Sequence, residues 1–203
     1  SACRSSTNAA SCVACGLQFD LIGGTPLTLL LSQLSFAPSD ADRAQIASSG
    51  SAAWLESQLH PDDGDDRECT DRLRELRPRI HYGEGTDWPA IDETRPMLWL
   101  DAPIEQAWPL ADGRTPMAGP ERARPRVEVT LATLIRAVYS RWQLREILVD
   151  FWHNHFNVNA WDQTIAVALP TYDREVIRRH CLGNFREMLE AVAKSAAMLC
   201  YLN

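Results

Sequence analysis

Eight of the chain's twelve prolines, Pro78, Pro89, Pro96, Pro103, Pro109, Pro116, Pro120 and Pro125, fall between Arg77 and Pro125, and this spacing decides where long helices can form. Each proline removes a backbone donor and crowds the preceding turn. The interval is therefore expected to hold loops and short extended pieces. Met97-Leu98-Trp99-Leu100 is expected as a short buried strand, with Trp88 and Trp108 anchoring loops to the core. A structureless insertion of this length inside a compact domain often carries function or covers a partner surface.

From Val127 the pattern changes. Val127, Leu131, Leu134, Ile135 and Val138 recur at helical spacing, as do Leu144, Ile147, Leu148 and Phe151, so two packed helices are expected. Pro170 should open a third helix with Tyr172, Val176 and Ile177, Gly183 should end it, and Phe185, Met188, Leu189, Val192 and Met198 should line a fourth. Before the insertion, Leu27, Leu30, Leu31 and Leu34 follow Thr25-Pro26 at helical spacing, and Ser39 is a natural N-cap for a helix through Ala47. Gly50-Ser51 separates that helix from one carrying Trp54, Leu55, Gln58 and Leu59, which Pro61 stops. The run from Asp62 to Asp66 is dense in carboxylates, but as a calcium loop it would place Arg67 where the turning glycine belongs and Leu73 where the distal glutamate belongs. It reads as a solvated acidic loop capping a helix from about Glu68 to Leu76. The expected fold class is mainly α, a helical bundle with a long Pro/Trp-rich irregular insertion at about 77–125; residues 1–24 form a Cys-containing N-terminal segment and residues 25–203 a single helical domain.

A chain of 203 residues, 45% of them hydrophobic, can bury a sizeable core. Its net charge of −7 and pI near 5.2 argue against a general nucleic-acid binder, which needs a concentrated positive face. No run approaches the roughly 20 apolar residues needed to span a bilayer. Cys3, Cys12, Cys15, Cys69, Cys181 and Cys200 are an even set, read as disulfides of an oxidising compartment. Cys12-Val13-Ala14-Cys15 has half the spacing of a zinc ribbon, but no second such pair follows.

The chemistry concentrates in Phe151-Trp152-His153-Asn154-His155-Phe156-Asn157-Val158-Asn159. If the chain runs extended after Trp152, His153, His155, Asn157 and Asn159 share one face. Two imidazoles there can hold Zn, Cu or Fe once a third ligand arrives, with Asp150, His180 and Asp162 the nearby candidates. If a helix instead continues, Asp150 lies one turn from Asn154 and Phe151 one turn from His155, and the histidines point apart. Three readings of the block stand together: a metal site, metal-free acid-base chemistry, and a buried hydrogen-bond network. For Arg178 and His180, near a helix end, either they complement the helix dipole or they converge on the block to form an anion or substrate pocket. No nucleotide-binding glycine loop, nucleophile elbow or His-Glu-x-x-His is present.

The segment Arg145 to Val158, with its Phe-Trp-His-Asn-His-Phe-Asn-Val core, resembles the signature of the bacterial domain of unknown function numbered eighteen hundred. Val176 to Phe185, followed by Met188-Leu189 and Ala196 to Leu199, is similar to that family's second block. Phe36-Ala37-Pro38 with Trp54-Leu55 is similar to its N-terminal helix pair. The resemblance implies a mostly helical, commonly exported protein, periplasmic or secreted, and no agreed reaction. It further implies an exported phosphatase-like companion as a partner. Because the second block normally runs on past Tyr201-Leu202, it also implies a C-terminal remainder, present as a separate chain that completes the core. Self-cleavage after Asn203, host proteolysis or gene splitting would produce such a terminus. The leading functional expectation is a metal-dependent active site with catalytic His153, His155, His180 and Arg178 and metal ligands His153, His155 and Asp150. The rival is a scaffold subunit docking a partner through the Trp-rich insertion, without catalysis.

Overall fold

The computed structural model describes residues 9–11, 18–20, 31–36 and 38–203. Ala9–Ser11 (β1) pairs antiparallel with Gln18–Asp20 (β2). Cys3, Cys12, Cys15 and the start of the helix expected after Pro26 lie outside the described residues. At 31–34 the chain is helical and Leu31 is fully buried.

Ser39 begins Asp40–Ser49 (α1) as expected, through a capping box. Its hydroxyl accepts from Asp42 N at 3.1 Å, while Asp42 Oδ2 accepts from Ser39 N at 3.0 Å. Gly50, at φ 87, breaks the chain before Ser51–Leu59 (α2), a backbone angle that glycine adopts without a Cβ clash. Trp54 is fully buried with Leu31 and Ile46, and its indole N–H donates to Asp42 Oδ1 at 2.9 Å, so the same carboxylate ties helix start to core.

The acidic loop is only partly solvated. Asp66 precedes Arg67–Glu75 (α3) but makes no cap bond; buried, it accepts from Ser140 Oγ at 2.6 Å and from Arg141 N at 3.1 Å. Between Arg77 and Pro125 the chain forms an antiparallel hairpin of Arg79–Tyr82 (β3) and Ile91–Thr94 (β4), then a short helix Ile104–Ala107 (α4) running into a 3₁₀ turn Trp108–Ala111. Residues 97–100 are irregular, not a strand. Their backbone is held by side chains instead, with Trp99 N donating to Glu128 Oε2 at 2.7 Å.

The long helix Gly119–Tyr139 (α5) starts inside the expected insertion. Pro120 sits in its first turn, where the missing N–H costs nothing, and Pro125 is accommodated within it. Its buried face is Pro125, Glu128, Val129 and Ala132, whereas Val127, Leu134 and Val138 of the expected apolar stripe are 41%, 59% and 59% exposed. Small residues decide this: fully buried Ala132 lets α5 approach Gln163–Thr171 (α7), whose Ala166 and Ala168 are buried too. Pro170 lies inside α7 rather than opening a helix, and Asp162 caps its start. Beyond Thr171 the chain continues as a π-helical segment, Tyr172–Arg178. Gln143–His155 (α6) and Phe185–Lys194 (α8) pack on that segment, while Ala196–Leu202 (α9) packs on α7. The main core gathers Val149, Ile165, Leu169, Tyr172, Ile177 and Met188. The molecule is mainly α, and no described helix is long and apolar enough to cross a membrane.

Candidate functional site

The helix continues through the histidine block, so α6 runs to His155 and the extended reading fails. Asn154 Nδ2 donates to Asp150 O at 2.9 Å and Oδ2 at 3.3 Å, and the Phe151 ring stacks on His155 at 5.9 Å. His155 is exposed among Phe151, Trp152 and Phe156. His153 points elsewhere, with Nε2 2.9 Å from Asp173 Oδ1 and its ring edge-on to Tyr172. The expected ligands His153, His155 and Asp150 are thus not brought together, and among the described residues no group of three or more His, Cys, Asp or Glu could hold a metal ion. His180 also stays apart, its Nδ1 2.8 Å from Val176 O.

What the structure does bring together with His153 is a buried network of charges. Arg178 donates through Nε to Asp173 Oδ2 at 2.9 Å and through Nη1 and Nη2 to the two oxygens of Glu146 at 3.1 and 2.7 Å. Arg136 Nη1 approaches Asp173 Oδ2 at 3.4 Å. The local helix geometry makes this arrangement. Glu146 and His153 are seven apart on α6, two turns along one face. Asp173 and Arg178 are five apart, a separation that i→i+5 bonding places one turn apart and that an α-helix would not. Of the expected catalytic residues, Arg178 and His153 therefore meet, through Asp173.

Burial works to raise the Asp173 pKa, but Arg178, the His153 hydrogen bond and Arg136 outweigh it and hold the carboxyl well below the usual range. An ionised carboxylate only accepts, so His153 Nε2 carries the hydrogen in this bond. Burial pulls the other way on Arg178 as well, and Asp173 and Glu146 overcome it to leave the guanidinium more firmly charged. Arg136 is pushed down by burial and by the charge of Arg178.

Asp173, Arg136 and Arg178 form part of the lining of a cavity of about 620 Å³. Arg74, Arg136, Arg145, Arg174, Arg178 and Arg179 line it against Asp66, Asp101 and Asp173. Asp66 and Asp173 are already bonded as described, and the exposed Arg179 side chain makes no hydrogen bond or ion pair among the described residues. The cavity lining is thus rich in guanidinium, with Glu146, Glu175 and Asp71 pairing with Arg178, Arg174 and Arg74 from beyond it. Such planar donors match the paired oxygens of carboxylate, phosphate and sulfate. Cys69 also lines the cavity, but burial, followed by Asp66, pushes its thiol up to about 11, so it stays protonated and unreactive near neutral pH.

Sequence reasoning missed Glu146, Asp173 and Arg136, most of whose partners are distant along the chain. One compositional signal bears on the arginines alone: Lys194 is the chain's single lysine, so nearly all its positive charge is the residue suited to oxyanions. Cys69, Cys181 and Cys200 are free thiols, so a full set of disulfides is not formed. Trp88 and Trp99 of the insertion are half-buried, while Trp108 is 44% exposed.

A family model described as a protein of unknown function (DUF1800) matches residues 29–203. No curated protein and no solved structure matches the chain.

Proposed function

The chain belongs to the DUF1800 family of proteins of unknown function, which brings no reaction with it, and from the site alone we propose that it binds a small oxyanion-bearing ligand in the arginine-lined cavity. The observation that carries this reading is the convergence of six arginines on one cavity, Arg179 among them with its side chain unpaired among the described residues. Arg136, Arg145 and Arg178 are paired with Asp173 and Glu146, which holds them in place, and Arg179, whose side chain has no partner among the described residues, is the guanidinium at the cavity with donors to offer an anion from solution. The network of His153, Asp173, Arg178 and Glu146 stands behind the cavity as the frame that fixes its guanidinium groups.

The test is thermal unfolding in inorganic phosphate against sodium chloride at matched ionic strength. Phosphate is expected to raise the Tm in proportion to the logarithm of its concentration, as a ligand specific to the folded state must. Arg179→Gln, at an exposed position, should weaken the effect several-fold without changing the Tm in chloride. Equal Tm values in phosphate and chloride would remove the proposal.

A further inference from the structure

The cavity of about 620 Å³ falls within the roughly 300–1,000 Å³ of small-molecule sites and is far larger than a bare tetrahedral anion needs. Its lining is of two chemical kinds. The guanidinium groups come chiefly from α5, α6 and the π-helical turn. A second set, Cys69 and Leu73 from one face of α3 with Met97 and Leu100 from the irregular segment before α4, is apolar. The neutral Cys69 thiol belongs with this set as a small hydrophobe.

The apolar side is held in place by bonds that do not depend on a ligand. Arg174 donates to Leu100 O, Trp99 N donates to Glu128 Oε2, and Arg124 Nη2 donates to Pro96 O at 3.0 Å. Both ends of the 97–100 segment are thereby tied to the elements that carry the arginines. The surface is preformed, so a ligand pays little to order it.

Resting on the anion-binding reading above, we infer that the ligand is an organic oxyanion, a carboxylate or a phosphate or sulfate monoester, whose apolar or aromatic body lies against Leu73, Met97 and Leu100 while its charged head meets the arginines. An inorganic ion would use only half of the lining. Burying an aromatic body is expected to tighten binding tenfold or more.

Calorimetric titration with inorganic phosphate and with phenyl phosphate tests this. The wild-type protein should bind phenyl phosphate at least tenfold more tightly. Leu73→Gln and Met97→Gln, both at half-buried positions, should bring the two affinities to within about twofold while leaving inorganic phosphate binding unchanged. Two variants are used so that a folding defect in one, visible as a lowered Tm, does not decide the outcome. Arg179→Gln should weaken both probes together. Equal affinities in the wild-type protein, or a preference that survives both glutamine variants, would overturn the inference and leave the anion site standing. Failure of both probes to bind would remove the anion site itself.

Discussion

Asp173 is the residue on which the site turns. With its side chain 4% exposed, it faces His153, Arg136 and Arg178 at once. Removing one partner of a buried ion pair strands the others in low dielectric, and Asp173→Ala is expected to cost about 3–5 kcal/mol by urea denaturation. The pH dependence has a definite sign. Because the folded pKa lies below the unfolded one, the contribution is present at neutral pH and is lost as pH falls below the ordinary carboxylate range. Asp173→Asn should flatten that acid limb and leave the alkaline side alone; an unchanged acid limb would contradict the network. None of this was legible in the sequence. Asp173 read as an unremarkable charge because two of its three partners lie 20 and 37 residues away, and a carboxylate's burial depends on neighbours that only the fold supplies.

Local chemistry, by contrast, was readable at the scale of the element. Ser39, Gly50 and Gly183 mark boundaries as expected, since caps and breaks need only adjacent residues. Ser39→Ala is expected to cost about 1 kcal/mol, the usual loss for a cap. Asp42→Ala should cost clearly more, because it removes the reciprocal half of the box and also strands the buried Trp54 indole N–H. Equal losses for the two in thermal unfolding would mean that the indole bond contributes nothing. Periodicity misled where the apolar face and the buried face differ. In α5 the close approach to α7 selects Ala132 and Val129, with Glu128 fixed to Trp99, and leaves the longer apolar residues outside. The π-helical turn after Pro170 has no sequence mark at all, yet it is what places Asp173 and Arg178 side by side.

For the molecule as a whole, mainly helical architecture was legible because apolar spacing from Val127 onward is strong, and the hairpin was not, because β3 and β4 are short and mostly exposed. Specific long-range hydrogen-bonding groups help to join the parts. One is the buried carboxylate of Asp66, which precedes α3 and receives hydrogen bonds from Ser140 and Arg141 in the link between α5 and α6. A single group bonded at the junction of three helices is expected to couple their opening. Their amide protons should therefore exchange with deuterium at one common rate, as a single cooperative unit, and Asp66→Ala should split that rate, letting α3 exchange fast while α6 keeps its protection. The loop that reads as a patch of surface charge is in this sense a clasp, closed by one buried carboxylate that also lines the cavity.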